Sequence, residues 1–226
     1  MNKINLLVFV LFINSILFSQ CPSGDVVLFS QSDLDDFVAN YPNCTTINGI
    51  FRITGPVNDI SSLDYISRVE GGFSIDSTEV TEISNFNKLE YVKDRIVIQT
   101  NPLLLKVEGF NNMLTLNHCV INNNLVLQEI TGFNSLESVK ASFYFQGNIE
   151  LIRIEGFRNL KRIENVLSFY HNPKLYSIPD FNNLEFVGQQ LQIVNSAMTE
   201  ISGFNNVDFI GSNIFGGLSI QFITKL

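Results

Sequence analysis

Few side chains in this 226-residue chain could carry out covalent or metal chemistry. His118 directly precedes Cys119, and a thiol nucleophile needs a neighbouring base. Adjacent strand residues point to opposite faces, however, so these two side chains are expected to diverge. His171 is the only other histidine, and no H-x-x-x-H or C-x-x-C spacing is present. We therefore predict neither a thiol enzyme nor a metal site, and no cofactor.

Carboxylates are the other possible source of chemistry, because polysaccharide lyases and hydrolases need acids close together. One column of the repeat described below contains Glu90, Leu114, Glu137, Lys161, Glu185 and Asp208. Glu185 and Asp208 could form a carboxylate pair or a weak calcium site. Charges on a solenoid surface are normally just solvated. A carbohydrate-active β-helix enzyme is therefore kept as an alternative.

A repeat of about 24 residues, I-x-x-F-x-x-L-x-x-V, must position all of these side chains. Its phenylalanines are Phe86, Phe110, Phe133, Phe157, Phe181 and Phe204. Each unit also has a short stretch of alternating apolar residues, such as Cys119 and Ile121, which is typical of a strand with one face buried. The repeat predicts an all-β solenoid, a right-handed β-helix of stacked coils.

Polar columns of the repeat predict how the coils turn. Nine residues before the phenylalanines stand Ser77, Asn101, Asn124, Asn148, Asn172 and Asn195. Asparagine repeated at a turn predicts a buried ladder whose side chains pair with backbone groups at the bend. Glycine precedes four phenylalanines, at Gly109, Gly132, Gly156 and Gly203. We expect positive φ or a close backbone approach there.

A column of mostly alternating charge predicts that equivalent residues lie directly above each other. It contains Glu82, Lys106, Glu129, Arg153, Ser177 and Glu200. Stacked coils are about 4.8 Å apart, so opposite charges in neighbouring coils would attract. A solvated ladder of salt bridges is the expected result.

The N-terminus carries the features of an exported chain. Residues 1–20 combine Lys3 with an apolar run from Leu6 to Ile13, which predicts a signal peptide. No other segment could span a bilayer. Without these residues the formal charge changes from −8 to −9, which argues against a nucleic-acid partner. We expect a secreted or cell-surface protein.

Export makes a disulfide between Cys21 and Cys44 the expected use of these cysteines. The alternative is a lipid anchor on Cys21, although Gln20 is larger than the small residue such a site requires. Residues 21–50 would form an N-terminal cap, with a helix at 32–41 that begins at the N-cap Ser32 and has Asp35 three residues later. Its apolar face would contain Leu34, Phe37, Val38 and Tyr41.

Residues 51–226 would form the solenoid. The chain ends at Leu226, partway through a further unit and without a second capping helix. An uncovered apolar coil is prone to association. We expect either end-to-end self-association or a continuation of the chain.

These features together resemble the receptor L-domain family, and in particular its secreted Bacteroidetes-type members. The resemblance covers residues 21–226 and depends on Cys21-Pro22-x-Gly24-Asp25-Val26, on Tyr41-Pro42-x-Cys44-x-x-Ile47-x-Gly49 and on segments such as Gly109-Phe110-Asn111-Asn112. It implies a leucine-rich-repeat-like β-helix with an N-terminal capping helix. Members include ligand-binding receptor modules, so the resemblance implies a fold more than a function.

The outward strand positions are the candidate binding surface. They are Val97, Gln99, Val120, Asn122, Tyr144, Gln146, Ser168, Tyr170, Gln192 and Val194. An uncharged sheet of amide, apolar and tyrosine side chains suits contact with an extracellular protein or a glycan. We expect a non-enzymatic recognition, adhesion or structural module. A passive spacer in a longer surface protein is a second alternative, because β-branched and aromatic residues favour strands in any case.

Overall fold

The repeat units fold into the coils of a parallel β-solenoid, as predicted. The computed structural model describes residues 21–198, 203–211 and 217–222. These residues form an all-β solenoid of about eight turns, consistent with a right-handed β-helix. The predicted signal peptide of residues 1–20 lies outside the described residues.

One α-helix, α1, spans Gln31–Asn40, and two short 3-10 turns span Ser61–Leu63 and Pro179–Phe181. The strands are β1 Val26–Leu28, β2 Thr46–Ile47, β3 Phe51–Thr54, β4 Arg68–Val69, β5 Phe73–Asp76, β6 Glu82–Ile83, β7 Tyr91–Val92, β8 Arg95–Gln99, β9 Lys106–Val107, β10 Thr115–Leu116, β11 His118–Asn122, β12 Glu129–Ile130, β13 Ser138–Val139, β14 Phe143–Gln146, β15 Arg153–Ile154, β16 Arg162–Ile163, β17 Val166–Asn172, β18 Phe186–Val187, β19 Gln190–Ser196, β20 Phe209–Ile210 and β21 Gly217–Phe222.

The longest strands of successive coils pair in parallel to form one nine-stranded sheet, here called the long sheet. Its order is β1-β3-β5-β8-β11-β14-β17-β19-β21. The two-residue strands form three shorter sheets, β2-β4-β7, β6-β9-β12-β15 and β10-β13-β16-β18-β20. Strand β1 lies within the predicted cap, so the long sheet begins before residue 51. This pairing places chemically equivalent residues of successive coils side by side.

A column of phenylalanine rings fills the interior beside the long sheet. Rings Phe86, Phe110, Phe133, Phe157, Phe181 and Phe204 follow one another at centroid distances of 5.6, 5.1, 5.8, 5.1 and 5.4 Å. The first five are fully buried. Such stacking of aromatic rings stabilises the fold by more than the burial of their apolar area alone.

A buried asparagine ladder runs along the turn after the long sheet. The Asn124 backbone N–H donates to Asn148 Oδ1 at 3.1 Å, and Asn148 Nδ2 donates to the carbonyl oxygen of Ile121 at 2.9 Å. Asn101 and Asn172 make equivalent contacts. Each side chain thus satisfies backbone groups of neighbouring coils that the bend leaves unpaired.

The ladder begins one residue later than predicted. Thr78 replaces Ser77, because the Thr78 backbone N–H and hydroxyl both donate to Asn101 Oδ1, at 3.0 and 2.7 Å. In this coil the segment between the ladder and Phe86 is one residue shorter, so counting nine residues back from phenylalanine failed. At the other end the side chain of Asn195 lies outside the described part of the structure. Its neighbour Ser196 pairs with Asn172 in the sheet and is buried, but Ser196 Oγ has no hydrogen-bond partner within the described residues.

A second asparagine ladder follows the phenylalanines on the outside of the coils. The Asn134 backbone N–H donates to Asn111 Oδ1 at 3.2 Å, and Asn111 Nδ2 donates to Asn87 Oδ1 at 2.9 Å. Arg158 interrupts this ladder and binds Asp180 instead, with Nε 3.0 Å from Oδ1. These side chains are more exposed than those of the buried ladder, so their bonds compete with water.

The glycines before phenylalanine serve both predicted purposes. Gly156 has a φ of +98°. At Gly132 a Cβ atom would lie 2.3 Å from the carbonyl oxygen of Gly109 in the coil below. In the coil that contains Gly132, the next residue, Phe133, takes the left-handed conformation itself, at φ +62°.

The charge ladder is present along β6, β9, β12 and β15. Glu129 lies between Lys106, at 3.7 Å, and Arg153, at 2.8 Å. Arg153 is bridged to Ser177 in the next coil. Glu200 lies outside the described residues. These half-exposed pairs fix the register more than they add stability, because solvent screens them.

Helix α1 covers the first coil, and its N-cap lies two residues earlier than predicted. The N-cap is Ser30, whose Oγ accepts from the Asp33 backbone N–H at 3.2 Å, rather than Ser32 with Asp35. The sequence contains the S-x-x-D pattern at both positions. At the first position the Asp33 carboxylate accepts from the Phe29 backbone N–H at 2.9 Å, which further secures this end of the helix. Leu34 and Phe37 are buried beneath the helix.

The predicted disulfide joins Cys21 to Cys44, and Cys119 is a buried free cysteine. Because the bridge closes a loop with a sequence separation of 23 residues, its reduction should lower the free energy of unfolding by about 3 kcal/mol. Urea denaturation with and without reductant measures this change. The Cys21→Ser/Cys44→Ser variant is the control and should not respond to reductant. An unchanged midpoint for the reduced native chain would contradict the role of the bridge.

Candidate functional site

The predicted binding residues lie in two adjacent columns on the outward surface of the long sheet, here called the strand face. One column pairs Val97, Val120, Tyr144, Ser168 and Gln192, and the other pairs Gln99, Asn122, Gln146, Tyr170 and Val194. Most of them are partly exposed, and Tyr170 is 44% exposed. Ser168 is fully buried and its Oγ donates to Gln192 Oε1 at 2.7 Å, so it offers little contact surface.

The first coils add charged side chains to the strand face that the sequence analysis missed. The Arg52 guanidinium donates two hydrogen bonds, both of 2.8 Å, to the carboxylate of Asp76, which is almost fully buried. This hydrogen-bonded contact raises the pKa of Arg52. Extending the first predicted column toward the N-terminus would have found Arg52, because Arg52 pairs with Ser74 and Ser74 pairs with Val97. The strand face is thus charged at one end and uncharged further along.

A third outward column places Arg95 beside His118 on the same surface. Burial, and then the charge of Arg95, lower the pKa of His118. Its ring lies 5.4 Å from the ring of Tyr144. Cys119 points inward and is fully buried, which raises the pKa of its thiol. His118 and Cys119 therefore lie on opposite faces, as predicted.

Two shallow hollows interrupt the strand face. The charged hollow, of about 380 Å³, lies over Arg52, Gly72, Ser74, Asp76, Arg95 and Gln99. The amide hollow, of about 310 Å³, is lined by Asn122, Asn123, Gln146, Gly147, Tyr170 and His171. Both volumes are at the lower end of the range for small-molecule sites. The sequence pattern predicted the columns but not these hollows.

The acidic column lies at a coil edge, away from the strand face. The Asp208 backbone N–H donates to the Glu185 carbonyl oxygen at 3.0 Å, so these two residues lie on adjacent coils. Both side chains are exposed. They lack the apolar surroundings that favour a protonated general acid. In the part of the chain that the structure describes, no group of three or more His, Cys, Asp or Glu side chains could hold a metal ion.

A third hollow, of about 580 Å³, opens where β7 and β10 belong to different sheets. In place of a strand pairing, Asn117 Nδ2 donates to the Lys93 carbonyl oxygen at 3.0 Å. The walls of this hollow include Lys93, Lys140 and Glu90. Tyr91 also lines it, and the guanidinium of Arg68 lies 3.8 Å from the centre of the Tyr91 ring. Its charges oppose each other, so this hollow favours no particular ligand.

A row of exposed apolar side chains, the apolar edge, follows the buried ladder. It consists of Leu103, Leu105, Leu125, Ile149 and Tyr176. Exposed apolar patches often mark interaction sites. The apolar edge is therefore the surface that competes with the strand face as the site of binding.

The geometry defines the class of this protein, a parallel β-solenoid with a disulfide-linked N-terminal helix and a partly polar, tyrosine-bearing outer sheet. Comparison of the chain with protein families, with curated proteins and with solved structures finds no match. No helix among the described residues is long and apolar enough to cross a membrane.

Proposed function

We propose that this protein is an exported, non-enzymatic recognition module that binds an extracellular protein or a glycan through the strand face. The observation that carries the proposal is the in-register exposure of tyrosine and amide side chains around two hollows. Tyrosine gives a large contact area at low entropic cost, and amides give hydrogen bonds without charge desolvation.

The Cys21–Cys44 disulfide supports export, because such bonds persist in oxidising compartments. The apolar segment after Lys3 supports it independently. A helix held over the first coil by this disulfide also supports membership of the receptor L-domain family, which we include in the proposal. A lyase or hydrolase has less support, because the candidate pair Glu185 and Asp208 is exposed and lines neither hollow of the strand face.

Replacing Tyr144 and Tyr170 together by alanine should weaken binding at least about tenfold, because central aromatic residues carry much of the energy of an interface. The test applies the labelled chain, without residues 1–20, to an array of extracellular glycans and to intact cells. The Tyr91→Ala/Tyr176→Ala variant also loses two tyrosines, but outside the strand face, and should bind normally. Unchanged binding of the first variant with an intact fold would refute the strand face as the site. A chain that binds nothing would favour the spacer.

A further inference from the structure

The amide hollow differs from the rest of the strand face because no acidic or cationic side chain lines it. Its walls are the side chains of Asn122, Asn123 and Gln146, and the exposed rings of Tyr170 and His171 form one side. These two rings lie near-parallel, with centroids 5.8 Å apart and planes inclined by 29°. The hollow therefore offers an aromatic surface beside amide donors and acceptors.

The polar contacts of this hollow come from the amides of Asn123 and Gln146. Asn122 also lines the hollow, but its Oδ1 is shielded from solvent and accepts no hydrogen bond within the described residues. A buried polar atom without a partner costs free energy, commonly about 1–3 kcal/mol. Because that oxygen is equally closed to a ligand, hydroxyl groups of a ligand would pair with Asn123 and Gln146.

The backbone beneath the hollow holds its side chains in place. Asn123, Gly147 and His171 all have positive φ, of 54, 65 and 60°. A Cβ atom on Gly147 would lie 2.4 Å from Asn123 Oδ1, so the missing side chain leaves room for the amide of Asn123. The backbone N–H groups of Asn123 and Gly147 donate to the carbonyl oxygens of the next coil, both at 3.0 Å.

We propose that the amide hollow binds one ring of a neutral saccharide. A sugar ring has an apolar face that packs on an aromatic surface, and its hydroxyl groups donate to and accept from amides. The volume of about 310 Å³ suits a single small ring. A charged ligand is disfavoured, because the hollow has no opposite charge to offset desolvation. This inference depends on the proposed function and names the ligand class for the part of the strand face over β11, β14 and β17.

The charged hollow gives an internal comparison for this assignment. Arg95 and Asp94 contribute opposite charges there, and the Arg52–Asp76 pair is already satisfied internally. An anionic glycan would find a cationic side chain, Arg95, only in the charged hollow, because no Arg or Lys lines the amide hollow. Neutral and acidic oligosaccharides of equal length therefore distinguish the two hollows.

Saturation-transfer NMR tests the proposal with hexasaccharides of glucose, mannose, galactose or xylose and with hexagalacturonate. We expect at least one neutral hexasaccharide to bind and to shift the ring resonances of Tyr170 and His171. Tyr170→Ala, which removes the aromatic surface, should weaken that binding about tenfold. Gln146→Leu, which removes an amide from the lining at similar volume, should weaken it severalfold. Tyr176→Ala, which removes an exposed tyrosine outside the strand face, should leave it unchanged.

Three results would overturn the proposal. They are no binding of any neutral hexasaccharide, neutral binding that Tyr170→Ala does not affect, and tighter binding of hexagalacturonate that Tyr170→Ala weakens. The double tyrosine variant on the glycan array and on cells tests the strand face independently. A protein ligand lost in that variant, together with no neutral binding, would leave the proposed function intact and reject the saccharide site.

Discussion

Replacing Asn148 by leucine is expected to lower the free energy of unfolding by roughly 4 kcal/mol. The Asn148 side chain is fully buried and accepts from the Asn124 backbone N–H while it donates to the Ile121 carbonyl oxygen. Leucine would leave both backbone groups buried without partners. Urea denaturation followed by far-UV circular dichroism measures the loss.

The outer asparagine ladder supplies the control. Asn134 Nδ2 donates to Asn111 Oδ1 and to the Thr131 carbonyl oxygen, but Asn134 is exposed, so water can replace both bonds in Asn134→Leu. We expect Asn134→Leu to lower the free energy of unfolding by less than about 1 kcal/mol. Asn148→Ser should fall between the two variants, because a single hydroxyl can replace only one of the two bonds that the Asn148 side chain makes to the backbone. Equal effects at Asn148 and Asn134 would mean that burial does not determine the strength of the ladder.

Replacing Phe133 by alanine should cost a similar amount, roughly 4 kcal/mol. Its ring is fully buried between Phe110, at 5.1 Å, and Phe157, at 5.8 Å, and contacts the ring of Phe143 edge-on. Because rigid coils stack on either side, the cavity cannot collapse completely, and the lost contacts add to the lost transfer free energy.

Phe209→Ala is the matched control for this variant. Phe209 also stacks on a neighbouring ring, that of Phe186 at 4.9 Å, but it is 48% exposed. Its truncation should cost less than about 1.5 kcal/mol, since less apolar area leaves water on folding. A Phe133→Ala variant as stable as Phe209→Ala would contradict a continuous phenylalanine core.

The sequence predicted the coils because each coil repeats the same chemistry, so four apolar columns define one inward surface. Local shifts could not be predicted in this way. Thr78 takes the place of the predicted Ser77 because one residue is lost between ladder and phenylalanine in that coil. The start of α1 was ambiguous because Ser30 and Ser32 are each followed three residues later by an aspartate.

The candidate site was predicted only as columns. Alternation along a strand tells which side chains point outward, and it placed Tyr144 and Tyr170 on the strand face. It does not tell how far each side chain extends, so the burial of Ser168 and the hollow above Gly147 required the structure. The Arg52–Asp76 pair was missed because it lies in coils where the apolar pattern is weak.

Hydroxyl-radical footprinting of four of the six tyrosines tests the strand face most directly, with and without the glycan or cell-surface ligand that the array identifies. Tyr144 and Tyr170 lie on the strand face, Tyr176 on the apolar edge and Tyr91 beside the 580 Å³ hollow. We predict that the ligand slows oxidation of Tyr144 and Tyr170 and leaves Tyr91 and Tyr176 unchanged. Protection of Tyr176 or Tyr91, with Tyr144 and Tyr170 oxidised as in the free protein, would contradict recognition through the strand face.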